Sequence, residues 1–210
     1  MLDARAVAAV DPGGMREIIA SLPDQLSAGM KVGESTRVPI EEAQRIFIVG
    51  MGGSAIGGDV FASWIADRAK VPIQVVRDYR IPAYGRPEDL LIAVSYSGNT
   101  EETLAATTQG LKLGCRVVAI TSGGTLRDLV RANDMRVLPV PTGLPPRGAF
   151  GHLFGILSGI GGEWAVGNLT DELGQAINHL RSLRKALRPE SGVRSNRAKS
   201  SPSESGRRSR

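Results

Sequence analysis

Five short apolar runs recur along the chain, each closed by a turn signal. They are "RIFIVGM" from Arg45, "IQVVRDY" from Ile73, "LLIAVSYS" from Leu90, "RVVAITS" from Arg116 and "MRVLPVP" from Met135. Unbroken Val, Ile and Leu runs of this length predict strands buried on both faces. Between them, "SAIGGDVFASWIADRA", "TEETLAATTQGLKLG" and "GTLRDLVRAND" carry apolar residues at helical spacing. The alternation predicts an α/β fold: a three-layer αβα sandwich around a five-stranded parallel sheet, with right-handed crossovers.

The flanks read differently. "GGMREIIASLPDQLSAGM" predicts one or two helices interrupted near Pro23, so residues 1–40 form an N-terminal helical segment. After the sheet, "AFGHLFGILSGIGGEWAVG" predicts a glycine-rich apolar helix. "DELGQAINHLRSLRKAL" predicts an amphipathic one, with Leu173, Ile177, Leu180 and Leu187 on one face. The main domain spans 41–187. From Arg188 onward "RPESGVRSNRAKSSPSESGRRSR" has almost no apolar residues and is expected to be disordered over 188–210.

Charge follows that division. Of 26 basic and 21 acidic residues, seven and two fall between Arg188 and Arg210, which leaves 19 of each sign in the body. The net charge of +5 therefore belongs to the tail, and no specific nucleic-acid partner is expected. Sparse aromatics, 4% of the chain, argue against a base-stacking surface. No apolar stretch of roughly 18 residues predicts a membrane span. The N-terminus lacks the basic start and long apolar core of a signal peptide, so a cytoplasmic protein is expected. Cys115, the one cysteine, opens a buried strand and reads as an inert thiol.

The chemistry gathers where strands end. After the first strand, "GMGGSAIGGD", Gly50 to Asp59, supplies glycines that let backbone approach a ligand. The amides of the following helix attract anions, and Ser54 adds a hydroxyl. After the third strand, "SYSGNTEET" brings Ser95, Ser97 and Thr100 to the sheet edge where ligands of open parallel sheets sit. Together they predict a hydroxyl-and-amide cradle for a phosphate dianion. In the competing reading, Ser97, Asn99 and Thr100 only cap a helix. Glu101 and Glu102 fit a first helical turn. "TSGG", Thr121 to Gly124, either closes the site or simply turns the chain. Arg147, behind Pro145 and Pro146, is placed to stabilise negative charge in the same cleft. Gly50, Gly52 and Ala55, with Asp78 further on, also fit a dinucleotide fingerprint, which leaves the second hydroxyl loop unexplained.

"GMGGSAIGGD", "VSYSGNTEETL", "ITSGG" and "PPRGAFGHLFG" occur in an order that resembles the sugar isomerase (SIS) domain, and more narrowly the bifunctional phosphoglucose/phosphomannose isomerases. The resemblance covers about Ile18 to Leu187 and implies a flavodoxin-like fold. It implies that Gly53, Ser54, Ser95, Ser97 and Thr100 contact the phosphate of a sugar phosphate, and that Arg147 stabilises an enediolate. The implied reaction is aldose–ketose isomerisation of hexose 6-phosphates, glucose 6-phosphate or mannose 6-phosphate to fructose 6-phosphate. It needs no metal or cofactor, and no metal-ligand spacing is visible.

The family is similar throughout in carrying a second SIS domain, which holds its carboxylate base, ring-opening histidine and a lysine. Here "RSNRAKS", Arg194 to Ser200, resembles the start of one and then gives way to "SPSESGRRSR", so a frameshift or early stop is expected. Neither His152 nor His179 matches the family histidine. Phosphosugar binding with poor or absent turnover is the expectation. A non-catalytic phosphosugar-binding module and an NAD-dependent oxidoreductase are the alternatives. A homodimer through the surface that would meet the tandem partner is a further expectation, with Leu173 to Leu187 contributing.

Overall fold

Each apolar run becomes a strand of one parallel sheet. The computed structural model describes residues 4–36, 38, 40–192 and 196–200. Its strands are β1 (Ile46–Val49), β2 (Ile73–Val76), β3 (Leu90–Val94), β4 (Arg116–Thr121) and β5 (Arg136–Pro139), in the order β2-β1-β3-β4-β5. In register, Val49 stands beside both Val76 and Ala93, and Val94 beside Ile120. The central β1 and β3 are buried along their whole length. The edge strands are mixed: Gln74 is exposed on β2, Arg136 and Pro139 on β5. Pro139 has no N–H to offer a ladder, which an edge tolerates.

Helices α1 (Ala4–Val10), α2 (Met15–Ala20) and α3 (Leu22–Glu34) precede the sheet. Helices α4 (Gly52–Trp64), α5 (Glu101–Leu113) and α6 (Gly124–Arg131) follow β1, β3 and β4, whereas β2 returns to β3 without a helix. Helices α7 (Phe150–Ile160) and α8 (Leu169–Leu187) follow β5. Alternate strand residues serve opposite faces. Phe47, Val49, Leu91, Ala93, Val117 and Ala119 pack with Ala106 of α5 and Leu126 and Val130 of α6. Ile46, Ile48, Leu90, Ile92, Val118 and Ile120 pack with Phe61 of α4, Leu153 and Ile156 of α7, Leu26 of α3 and Leu173 of α8.

Helices α3 and α7 lie backbone against backbone. A methyl group added at Gly33 would stand 2.4 Å from the Ile156 carbonyl oxygen, and one at Gly155 would stand 2.5 Å from that of Leu26. Gly29 and Gly159 are as tightly met. Glycines four residues apart on each helix allow this approach, which no side chain would. The contact fixes α7 against α3.

Two local expectations shift. Pro23 does not interrupt a helix: it stands in the first turn of α3, where its missing N–H costs nothing, and the break falls at Ser21. On α8, Leu173 and Ile177 are buried, but Leu187 is 43% exposed. The first turn of α8 is anchored instead. Arg68 grips Glu172 with two bonds of 2.6 Å, and Trp64 donates to the same carboxylate at 3.0 Å. The Arg68 hydrogen bond holds the Glu172 carboxyl below the usual carboxylate range.

Beyond α8, Asn196 is buried, donates to the Arg188 carbonyl at 3.1 Å, and leads into one helical turn, α9 (Arg197–Ser200). The remainder of the tail, 193–195 and 201–210, lies outside the described residues. Among the described residues no helix is long and apolar enough to cross a membrane.

Candidate functional site

The strand order reverses between β1 and β3. The chain leaves β1 toward β2 on one side and leaves β3 toward β4 on the other. Their exits are therefore side by side at the sheet's carboxyl edge, the position where open α/β sheets bind ligands. The approach is close: a methyl group on Gly50 would stand 2.9 Å from the Val94 carbonyl oxygen.

The first exit is open. Met51 precedes α4 in an extended conformation and no side chain caps the helix. Gly52 takes φ 51° and Gly53 follows, both exposed. A methyl group on either would meet nothing within 4 Å. Ser54 is half-buried, and its hydroxyl makes no hydrogen bond among the described residues. The first amides of α4 have no intrahelical partners and stand at its positive end.

The second exit is tightly built. Ser95 is 2% exposed, and its hydroxyl accepts from the Gly98 amide at 3.1 Å and pairs with the Thr100 hydroxyl at 2.9 Å. Ser97 is exposed and its oxygen accepts from the Asn99 amide at 3.2 Å. Gly98 takes φ 71°. Thr100 stands just before α5, yet its side chain makes no capping bond to the first amides of the helix. At two other helix starts side chains do accept: Asn168 from the Asp171 amide at 3.1 Å, and Asp11 from those of Met15 and Arg16 at 2.8 Å, whereas α3 and α7 also lack a side-chain cap.

Of the residues expected to meet a phosphate, Gly53, Ser54, Ser97 and Thr100 thus keep solvent access. Ser95 is turned inward as a brace that shapes the loop. Glu101 and Glu102 stand in the first turn of α5, as expected. Both act on Tyr79, from the segment after β2. Its phenol is held above its ordinary pKa mainly by the Glu102 charge, then by burial and by Glu101.

The third loop, Thr121 to Gly124, is sewn to the second. Ser122 donates to the Tyr96 carbonyl from its amide at 3.0 Å and from its hydroxyl at 2.6 Å. The Leu126 amide donates to the Gly98 carbonyl at 2.8 Å. Thr125 donates to Asn99 Oδ1 from its amide at 3.0 Å and from its hydroxyl at 3.1 Å. Gly98 allows this approach, since a methyl group there would fall 1.8 Å from the Gly123 carbonyl oxygen.

Arg147 occupies a tight turn, Pro146–Ala149, packed against α2 and α4. It is exposed, and its guanidinium makes no ion pair or hydrogen bond among the described residues. His152 is half-buried in the first turn of α7, and burial lowers its pKa. His179 is exposed on α8. Cys115 donates to the Arg86 carbonyl at 3.2 Å, and burial pushes its thiol up to about 11, as suits a structural cysteine. Sequence reasoning gave Tyr96 no role and read Asn99 only as a capping candidate, whereas both tie the second loop to its neighbours. The available signal was an aromatic ring and an amide inside a run of hydroxyls.

This arrangement, two helices without side-chain caps opening side by side at the switch point of a parallel sheet, is that of an open α/β domain. The chain carries a SIS domain, matched by the family model over residues 40–137. Within that class it is similar to bifunctional phosphoglucose/phosphomannose isomerases. It is 36% identical to the Caldicellulosiruptor bescii protein over 188 residues, 88% of this chain and 56% of that one. It is 44% identical to the Thermoplasma acidophilum protein over 108 residues, 51% of this chain and 33% of that one. The chain thus spans about half the length of the first of these relatives. In fold it is similar to a hypothetical protein from Thermus thermophilus. The TM-score is 0.62 at 20% identity, over 90% of this chain and 47% of that one.

Proposed function

We propose that this chain binds the phosphate of a hexose 6-phosphate between the starts of α4 and α5. In this reading it is the phosphosugar-binding part of an aldose–ketose isomerase that interconverts glucose 6-phosphate or mannose 6-phosphate with fructose 6-phosphate in the cytoplasm. The observation that carries the proposal is the pair of uncapped helix starts flanked by the accessible hydroxyls of Ser54, Ser97 and Thr100. A phosphate dianion matches such a cradle: amides and alcohols donate, the helix ends supply positive potential, and no metal is required. The names of the relatives support a phosphosugar isomerase over a dinucleotide enzyme.

Isomerisation moves a proton between carbon 1 and carbon 2 through an enediolate. Phosphate contacts position those carbons, and Arg147 is suited to the charge that develops there. The base must reach the transferred proton. Glu101 and Glu102 stand beside the phosphate cradle, at the far end of the sugar from that proton. Purified protein is therefore expected to bind fructose 6-phosphate and to turn it over slowly or not at all.

Calorimetry with fructose 6-phosphate, fructose and NAD, together with a coupled isomerase assay, tests both halves. Binding of fructose 6-phosphate alone supports the phosphate site. Binding of NAD alone contradicts it. Turnover at the rate of a full-length relative overturns the second half.

A further inference from the structure

Tyr96 sits in the second loop and is only 8% exposed. Its two polar ends face different loops. Its carbonyl accepts both Ser122 bonds and so holds the third loop. Its phenol donates to the Pro141 carbonyl at 3.1 Å and accepts from the Leu144 amide at 2.8 Å. Pro141 and Leu144 belong to the segment between β5 and the Arg147 turn, which the stiff pair Pro145–Pro146 then carries forward. A phenylalanine would fill the same space, so the hydroxyl at this position serves the two bonds and not the packing.

We propose that Tyr96 is a positioning residue that fixes the Arg147 turn relative to the phosphate loop, so that the charge-bearing end of the substrate and its phosphate are gripped at one set distance. The proposal deepens the phosphosugar reading and rests on it for the role of Arg147, but the mechanical link stands on its own. Two hydrogen bonds from one rigid side chain, itself clamped through its own backbone, leave the segment before Arg147 little freedom.

The test uses Tyr96→Phe in the whole chain, with two readouts. The first needs no ligand. By amide hydrogen exchange, the variant should lose protection at Leu144 by about tenfold while Ser122 and Leu126, bonded to loop carbonyls, stay unchanged. Unchanged protection at Leu144 overturns the proposal, whatever the protein binds.

The second readout compares fructose 6-phosphate with 5-phosphoarabinonate, whose carboxylate lies where an enediolate would carry its charge. Tyr96→Phe should weaken 5-phosphoarabinonate about tenfold and fructose 6-phosphate less than about twofold. Arg147→Ala should do the same, and the double variant should be no weaker than Arg147→Ala alone. Equal losses for both ligands, or additive losses in the double variant, overturn the proposal. If exchange changes as expected but wild type binds neither ligand, the positional link stands and the phosphosugar reading falls.

Discussion

The two exits of the sheet use glycine for opposite reasons. At the β1 exit, Gly52 and Gly53 have empty space where a side chain would be, and nothing from the rest of the protein approaches. At the β3 exit, Gly98 is pressed against the Gly123 carbonyl, and Gly124 would put a methyl group 2.4 Å from that of Ser97. The first loop is open to whatever binds there, whereas the second is locked to its neighbours before anything binds. Close approach accounts for Gly98 and Gly124 and a positive φ for Gly52, whereas neither accounts for Gly53.

Substitutions break this comparison in a graded way. The largest effect is expected at Gly98. An alanine there combines a φ of 71° with a 1.8 Å collision. Denaturant unfolding should show a loss of about 3 kcal/mol or more. Full stability would mean that the loops are not packed as described. Asn99→Ala comes next. It removes both Thr125 bonds and should cost about 1 kcal/mol, with a few-fold loss of fructose 6-phosphate affinity.

Gly53→Ala sharpens the contrast, because it should leave stability unchanged or raise it by about 0.5 kcal/mol while lowering fructose 6-phosphate affinity about tenfold. Unaltered affinity would remove the β1 exit from the site. Ser54→Ala should be smaller still. Its hydroxyl has no partner among the described residues, so the melting temperature should hold while affinity falls about threefold.

The smallest expected effect is a pH dependence away from both loops. Burial lowers the pKa of His152 below its ordinary value of 6.5. Between the folded and ordinary values the unfolded chain binds more protons, so stability declines as pH falls below 6.5 and is flat for this group above it. Unfolding midpoints at about pH 7.5 and about pH 5.5 should differ less in His152→Gln than in wild type. An identical difference would show that the slope comes from elsewhere.

Much of the frame was legible because it obeys local rules. "LLIAV" and "RVVAIT" are unbroken apolar runs, since β3 and β4 are buried on both faces, and each helix start after β1, β3 and β4 is marked by glycine or a hydroxyl residue. What sequence reasoning passed over depends on distant partners. Ser95 and Ser97 look alike in "SYSGNTEET", but only the fold turns one inward and the other outward. Tyr96 acts on residues 45 and 48 positions away, and no periodicity reports that. The glycines of "LFGILSG" read as a feature of one helix, whereas their reason is the backbone of α3. Leu187 continues the apolar stripe of α8 in sequence, yet it is 43% exposed.

The central claim is that two strand–helix junctions hold one phosphate group. A crystal soaked with fructose 6-phosphate tests it most directly. The account predicts the phosphate between the starts of α4 and α5, in contact with Ser54 and Ser97 together. A phosphate bound by one loop alone, or a sugar phosphate seated elsewhere on the molecule, would contradict it.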